Sequence, residues 1–85
     1  MSGRPTVVAG LEISLVADGS VVYDPERDRV HYLNQTAAVV FELCSGENEP
    51  GDMARVLQLA YGLEEPPEAE VRACLEQLSR EGLIA

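Results

Sequence analysis

The stretch Arg29–Gly46, RVHYLNQTAAVVFELCSG, decides the fold. Its first five residues, Arg29-Val30-His31-Tyr32-Leu33, alternate as a strand with two different faces does. They pass without a loop into Asn34, whose side chain suits an N-cap because it accepts from an orphan N–H of the first helical turn. The helix opened there is apolar over most of its circumference. Ala37, Val40, Phe41 and Cys44 share one face, Val39 and Leu43 lie nearly opposite, and only Gln35 and Glu42 mark a polar arc. A helix of that kind is covered from several directions. Gly46 is placed to end it in the left-handed conformation that helix C-termini favour.

Working towards the N-terminus, Asp24-Pro25-Glu26-Arg27-Asp28 reads as a turn, with Pro25 pre-set in φ for it. Val21-Val22-Tyr23 precedes it as a strand, and Asp18-Gly19 is expected to be a tight hairpin in which the glycine supplies positive φ. Leu11-Glu12-Ile13-Ser14-Leu15 alternates as a strand with one buried face. Residues 1–10 carry no periodicity and read as a loose lead.

Towards the C-terminus, Pro50 suits the first turn of a second helix, with an apolar stripe of Met53, Val56, Leu57, Ala60 and Tyr61 that Gly62 closes. Glu64-Glu65-Pro66-Pro67-Glu68 starts a third helix, with carboxylates where the helix dipole favours them. Val71, Cys74, Leu75 and Leu78 form its stripe, Gly82 ends it, and Leu83-Ile84 folds back as an apolar clip. The expectation is one α+β domain over 1–85, a winged helix-turn-helix in which a three-stranded antiparallel meander packs on three helices.

Composition removes several functions. Six arginines, no lysine and fifteen acidic residues give a formal net charge of −9. Nucleic-acid affinity comes largely from neutralised phosphates, so DNA, RNA and anionic membrane surfaces are excluded as partners. The third helix and its entrance carry Glu64, Glu65, Glu68, Glu70, Glu76 and Glu81 against Arg72 and Arg80, the reverse of a DNA-reading helix. No apolar run approaches the ~18–20 residues of a membrane span, and MSGRPTVVAG has no signal-peptide pattern, so a cytoplasmic location is expected.

Chemistry is equally sparse. Cys44 and Cys74 form no Cys-x-x-Cys pair and His31 is the single histidine, which leaves zinc without a ligand set and reads as two buried free thiols. No nucleophile–base pair, phosphate loop or metal cluster is present, so neither catalysis nor a cofactor is expected. No serine stands in the Asp-Ser-Leu setting that an acyl carrier requires.

HYLNQTAAVVFELCSGENEP followed by LAYGLEEPPEAEVRACLEQLSREGLI resembles the PqqD-like family, whose members are also called RiPP recognition elements. The shared pattern is Leu-Asn-x-Thr-Ala-Ala after an apolar strand, a helix closed by glycine, a second helix ending Tyr-Gly, and a third running acidic-Val-x-x-x-Leu-x-x-Leu to Gly-Leu-Ile. It covers residues 20 to 85. The resemblance implies a non-catalytic domain that binds the leader segment of a ribosomally made precursor peptide. It also implies presentation of that precursor to a modifying enzyme such as a radical-SAM maturase, leader peptidase or cyclase. In that family the leader adds as an antiparallel strand to the third strand, beside the third helix.

Carried onto this chain, the resemblance implies docking on Arg29, Val30, His31, Tyr32 and Leu33 and on the Glu68–Glu81 helix, through Val71, Arg72, Leu75, Leu78 and Ser79. Val71, Cys74 and Leu78 centre the helix stripe as core, while Leu75, Arg72 and Ser79 lie on the flank expected to meet peptide. Arg72 then clamps an acidic leader side chain, or pairs with a nearby Glu one turn away. Arg29 and His31 are expected to blunt the exposed strand edge. Two departures matter. The quinone-pathway members carry a longer segment before the asparagine, which points this chain to a lasso or other modified peptide. Glu49 replaces the usual Ser or Thr before the second helix, which weakens that cap. A monomer or weak homodimer is expected, and the alternative function is a regulatory protein–protein interaction module.

Overall fold

A computed structural model describes residues 3–85. The elements run β1 (Glu12–Val16), β2 (Gly19–Asp24), β3 (Arg29–Asn34), α1 (Gln35–Glu42), α2 (Pro50–Tyr61) and α3 (Glu68–Arg80). The sheet is antiparallel in the order β1-β2-β3, so β1 and β3 are both edges. Meander and three helices are as the sequence implies, an α+β fold.

Register places Ile13 opposite Val22, and in the β2–β3 ladder Val22 opposite His31 and Ser20 opposite Leu33. Directly opposed residues share a face, so these side chains point towards the helices. Val22 and Leu33 join Val40, Phe41, Met53, Leu57, Val71, Leu75, Leu78 and Leu83 in one core. At α2 the buried residues are Met53, Ala54 and Leu57, whereas Val56 and Tyr61 stay exposed; the inward stripe is narrower than the sequence suggests.

Gly19 has a different task from the one its hairpin position suggests. The turn is the two-residue Ala17–Asp18 closed by Val16 and Gly19, and Gly19 does not have positive φ. Instead, a Cβ there would collide with the Leu33 carbonyl oxygen and lie 3.0 Å from its carbon. Only glycine lets β2 come so close to the end of β3, where the chain turns into α1. Asn34 caps that helix, its Oδ1 accepting from Ala37 N at 2.9 Å.

Several expectations are revised. β1 has no buried face: all five residues are exposed, because the helices pack on β2 and β3 and reach it little. α1 ends at Leu43, and Gly46 (φ 85°) serves the next turn, its N–H donating to Pro5 O at 3.0 Å. Glu49 does not leave α2 uncapped, since Asp52 Oδ2 accepts from Glu49 N at 2.9 Å. Pro5–Val8 is not loose. Thr6 and Ala85 exchange backbone hydrogen bonds at 3.1 and 2.8 Å, Val8 N donates to Leu83 O at 3.0 Å, and Pro5 is buried. The apolar clip Leu83-Ile84 is therefore held from both sides, and Met1 and Ser2 of the expected lead lie outside the described residues.

Candidate functional site

β3 carries β2 on one side only, so its other edge presents unpaired backbone groups. In an antiparallel ladder alternate residues turn both N–H and C=O outward. Either Arg29, His31 and Leu33 or Val30, Tyr32 and Asn34 therefore offer a ready ladder to a further strand. Val30 and Tyr32 are 68% and 57% exposed on the outer face of the sheet. The Tyr32 hydroxyl donates to Asp18 O at 3.2 Å, and its pKa is raised by desolvation and then by the Asp18 charge.

α3 runs beside this edge. A cavity of about 550 Å³ separates the two, lined on the strand side by Tyr32, Leu33, Asn34, Thr36 and Ala37 and on the helix side by Glu70, Ala73, Cys74, Gln77, Leu78 and Glu81. The helix residues recur at three- and four-residue spacing and so form one stripe. Leu33 and Leu78 are buried, giving an apolar floor, while small Ala37 and Ala73 leave the space open. Thr36 and Glu70 also border a further cavity of about 190 Å³ beside Tyr61, Leu63 and Pro67. The groove thus continues beyond the end of the strand.

One end of the groove is pinned. His31 Nδ1 lies 2.6 Å from Glu81 Oε2, and Gln77 Nε2 donates to Glu81 Oε1 at 2.5 Å. His31 therefore faces inward and links strand to helix rather than blunting the edge, because its register position is that of Val22. Its Nε2 is buried without a hydrogen-bond partner among the described residues. Glu70 and Glu81 are the charged groups of the lining, and no basic residue joins them.

The cysteines are free. Burial, and then the nearby Cys74, push the Cys44 thiol up to about 11, and its Sγ donates to Val40 O at 3.2 Å. Cys74, half-buried in the groove, is also raised by burial. Neither thiol is activated, since the thiolate is the reactive form. Among the described residues no three metal-ligating side chains are grouped, and no helix is long and apolar enough to cross a membrane.

The structure brings Tyr32, Leu33 and Leu78 together at the groove, with His31 at its end and Arg29 and Val30 along the edge. Val71 and Leu75 are fully buried in the core. Arg72 and Ser79 are exposed on a part of α3 that does not line the groove. The flank of α3 that lines the groove is the opposite one, Glu70, Ala73, Gln77 and Glu81, with Cys74 half-buried between it and the core. The Glu70–Cys74–Gln77–Glu81 spacing was visible, but which flank faces β3 depends on how the helix lies on the sheet.

The family model described as "Coenzyme PQQ synthesis protein D (PqqD)" matches residues 19–84. The chain belongs to the PqqD family. Its fold is shared with a solved structure of TbiB1 in complex with the TbiA(beta) leader peptide, at a TM-score of 0.79 and 15% identity, over 93% of each chain. No curated protein matches the chain in sequence. The family match takes in β2, β3 and all three helices, and hence both walls of the groove.

Proposed function

We propose that this PqqD-family chain is a RiPP recognition element. It binds the leader segment of a ribosomally made precursor peptide as a fourth strand on the outer edge of β3 and presents the precursor to a modifying enzyme. The observation that carries this reading is the free β3 edge lying beside the cavity of about 550 Å³ walled by α3. Backbone pairing supplies affinity in strand addition, and pockets for alternate side chains supply specificity. A strand laid on β3 places every second side chain against Leu33, Ala73 and Leu78 and the others beside Val30 and Tyr32 on the outer face. TbiB1, which shares the fold, was solved with a leader peptide. The proposed role is binding rather than catalysis: the free nitrogen of the one histidine, Nε2, is buried with no nucleophile beside it among the described residues, and both thiols have raised pKa values. The short passage from Asp28 to Asn34 favours a lasso or other modified peptide over the quinone as product, and the cytoplasm is the proposed location.

Cys74 supplies the test. It lines the groove, and the other thiol, Cys44, is buried and protonated far above neutral pH. Alkylation followed by intact mass should therefore report on one site. Leader peptides encoded by precursor genes beside this one should slow alkylation of Cys74, and prior alkylation should abolish their binding. A leader that binds tightly yet leaves the Cys74 rate unchanged sits elsewhere and refutes the groove.

A further inference from the structure

The second edge of the sheet is as open as the first. All five residues of β1 are exposed, Leu15 by 85% and Ile13 by 50%, and the strand is held chiefly by β2. Ile13 and Leu15 point to the helix side of the sheet, because they oppose Val22 and Ser20. There they border a groove of about 460 Å³ whose other wall is Ala38 and Val39 of α1, with the buried Phe41 beneath. Edge strands are normally protected by lysine, proline, a bulge or a cover. β1 contains neither lysine nor proline, has Glu12 at its end as its one charge, and pairs with β2 residue for residue, without a bulge.

Charge selects the occupant. Glu12 stands at one end of β1, Asp18 at the hairpin and Glu42 on the α1 rim, while no lining residue is basic. A second copy would bring the same acidic rim and a further net charge of −9. We infer that β1 and this groove dock an extended segment of a partner protein. The segment alternates apolar side chains towards Phe41 and carries lysine or arginine at its flanks. Being the opposite edge of the same sheet, the site can be filled while a peptide occupies β3. The inference goes beyond the proposed leader binding and does not depend on it.

The test uses the whole chain and two synthetic peptides that alternate valine and threonine, one flanked by lysines and the other by glutamates. The lysine-flanked peptide, titrated to millimolar concentration, should shift the amides of residues 12–16 and 38–42. Raised salt should weaken it. Leu15→Glu should weaken it about tenfold, since the lost apolar contact outweighs the weak surface attraction that the new carboxylate adds for the lysine flanks. Leu15 is so exposed that this variant should melt like the parent, and Leu15→Thr, which keeps strand propensity, should weaken binding in the same direction. Ala73→Trp, which fills the groove at β3, should change nothing. Absence of shifts at 12–16, equal binding of the glutamate-flanked peptide, or indifference to both Leu15 variants overturns the inference. So does a dimer in sedimentation that Leu15→Glu dissociates, which would make a second copy the occupant.

Discussion

Ala73 and Leu75 stand two residues apart on α3 and should respond to substitution in opposite ways. Ala73 is exposed and lines the β3 groove; Leu75 is 0% exposed in the core. Ala73→Trp fills the space that a leader side chain would occupy. Burying an aliphatic or aromatic side chain contributes about 1.5–3 kcal/mol, so denying one such contact weakens binding about 10- to 150-fold. The fold hardly notices, because an exposed helix position costs about 0.5 kcal/mol for the poorer helix former. Leu75→Glu instead buries a carboxylate with no partner and removes a core side chain, a loss of about 4 kcal/mol or more. A domain of 85 residues has about 4–13 kcal/mol of total stability, so this variant should melt at least about 16–32 °C below the parent, or be unfolded where the parent is marginal.

Calorimetric titration with the cognate leader and thermal denaturation followed by circular dichroism separate the two outcomes. Ala73→Trp should melt within a few degrees of the parent and bind at least about tenfold more weakly. Native affinity in a folded Ala73→Trp protein refutes the groove. A folded Leu75→Glu protein that has lost only binding would mean that α3 turns its Leu75 flank to the peptide, and the stated arrangement of core and groove would be wrong.

His31→Pro and Tyr32→Pro each delete one backbone donor from adjacent positions of β3, whose N–H groups point to opposite edges. One variant should abolish leader binding in a folded protein and the other should lower the melting temperature by breaking the β2 ladder; binding that survives in both excludes strand addition there. Gly19→Ala drives a methyl into the Leu33 carbonyl and should destabilise by about 3 kcal/mol, a fall in melting temperature of about 12–24 °C, whereas Gly51→Ala, in open space on α2, should be neutral or stabilising. Duplex DNA should show no salt-sensitive affinity in fluorescence anisotropy at physiological ionic strength, because α3 is acidic; submicromolar binding would break the charge argument. Cys44 keeps its proton in the folded protein to about pH 11, whereas its unfolded value is 9.0. Between those limits the unfolded state binds fewer protons, so stability should fall as pH rises, and Cys44→Ala should flatten the decline in denaturant titrations.

The order and type of every element were legible in the sequence because local signals agree with the global fold. Alternation in Arg29–Leu33, the Asn34 cap, Pro50 and Gly62 each have a local cause, and the cap bond and the left-handed Gly62 are present. What was illegible depends on distant partners. The alternation of Glu12–Val16 gives two faces but cannot say that the helices stop short of them. Pro5–Val8 has no period of its own, since its partners, Cys44, Leu83 and Ala85, are far along the chain. The groove is the sharpest case. The helix stripe Val71–Leu75–Leu78 was evident, yet two flanks border any such stripe, and only the position of β3 chooses Glu70–Glu81 over Arg72–Ser79.

The same geometry explains why the strand enters the helix without a loop. Gly19 brings β2 against the last residues of β3, and Asn34 closes the ladder and caps α1 at once. A loop at that point would let α1 drift from the sheet, and with it Thr36 and Ala37, which complete the groove at β3. The opposite flank of α1, at Ala38 and Val39, borders the groove at β1, while Val40 and Phe41 are sealed in the core. An eight-residue helix that faces a core and two grooves has little circumference left for water. Its nearly continuous apolar surface is therefore a consequence of position. A polar substitution at Ala37 should weaken occupants of β3 alone, and one at Val39 occupants of β1 alone, each in a protein that remains folded. Amide shift titrations of the two variants with a leader peptide and with the lysine-flanked peptide would expose any crossover, and crossover would mean that the two edges are not independent.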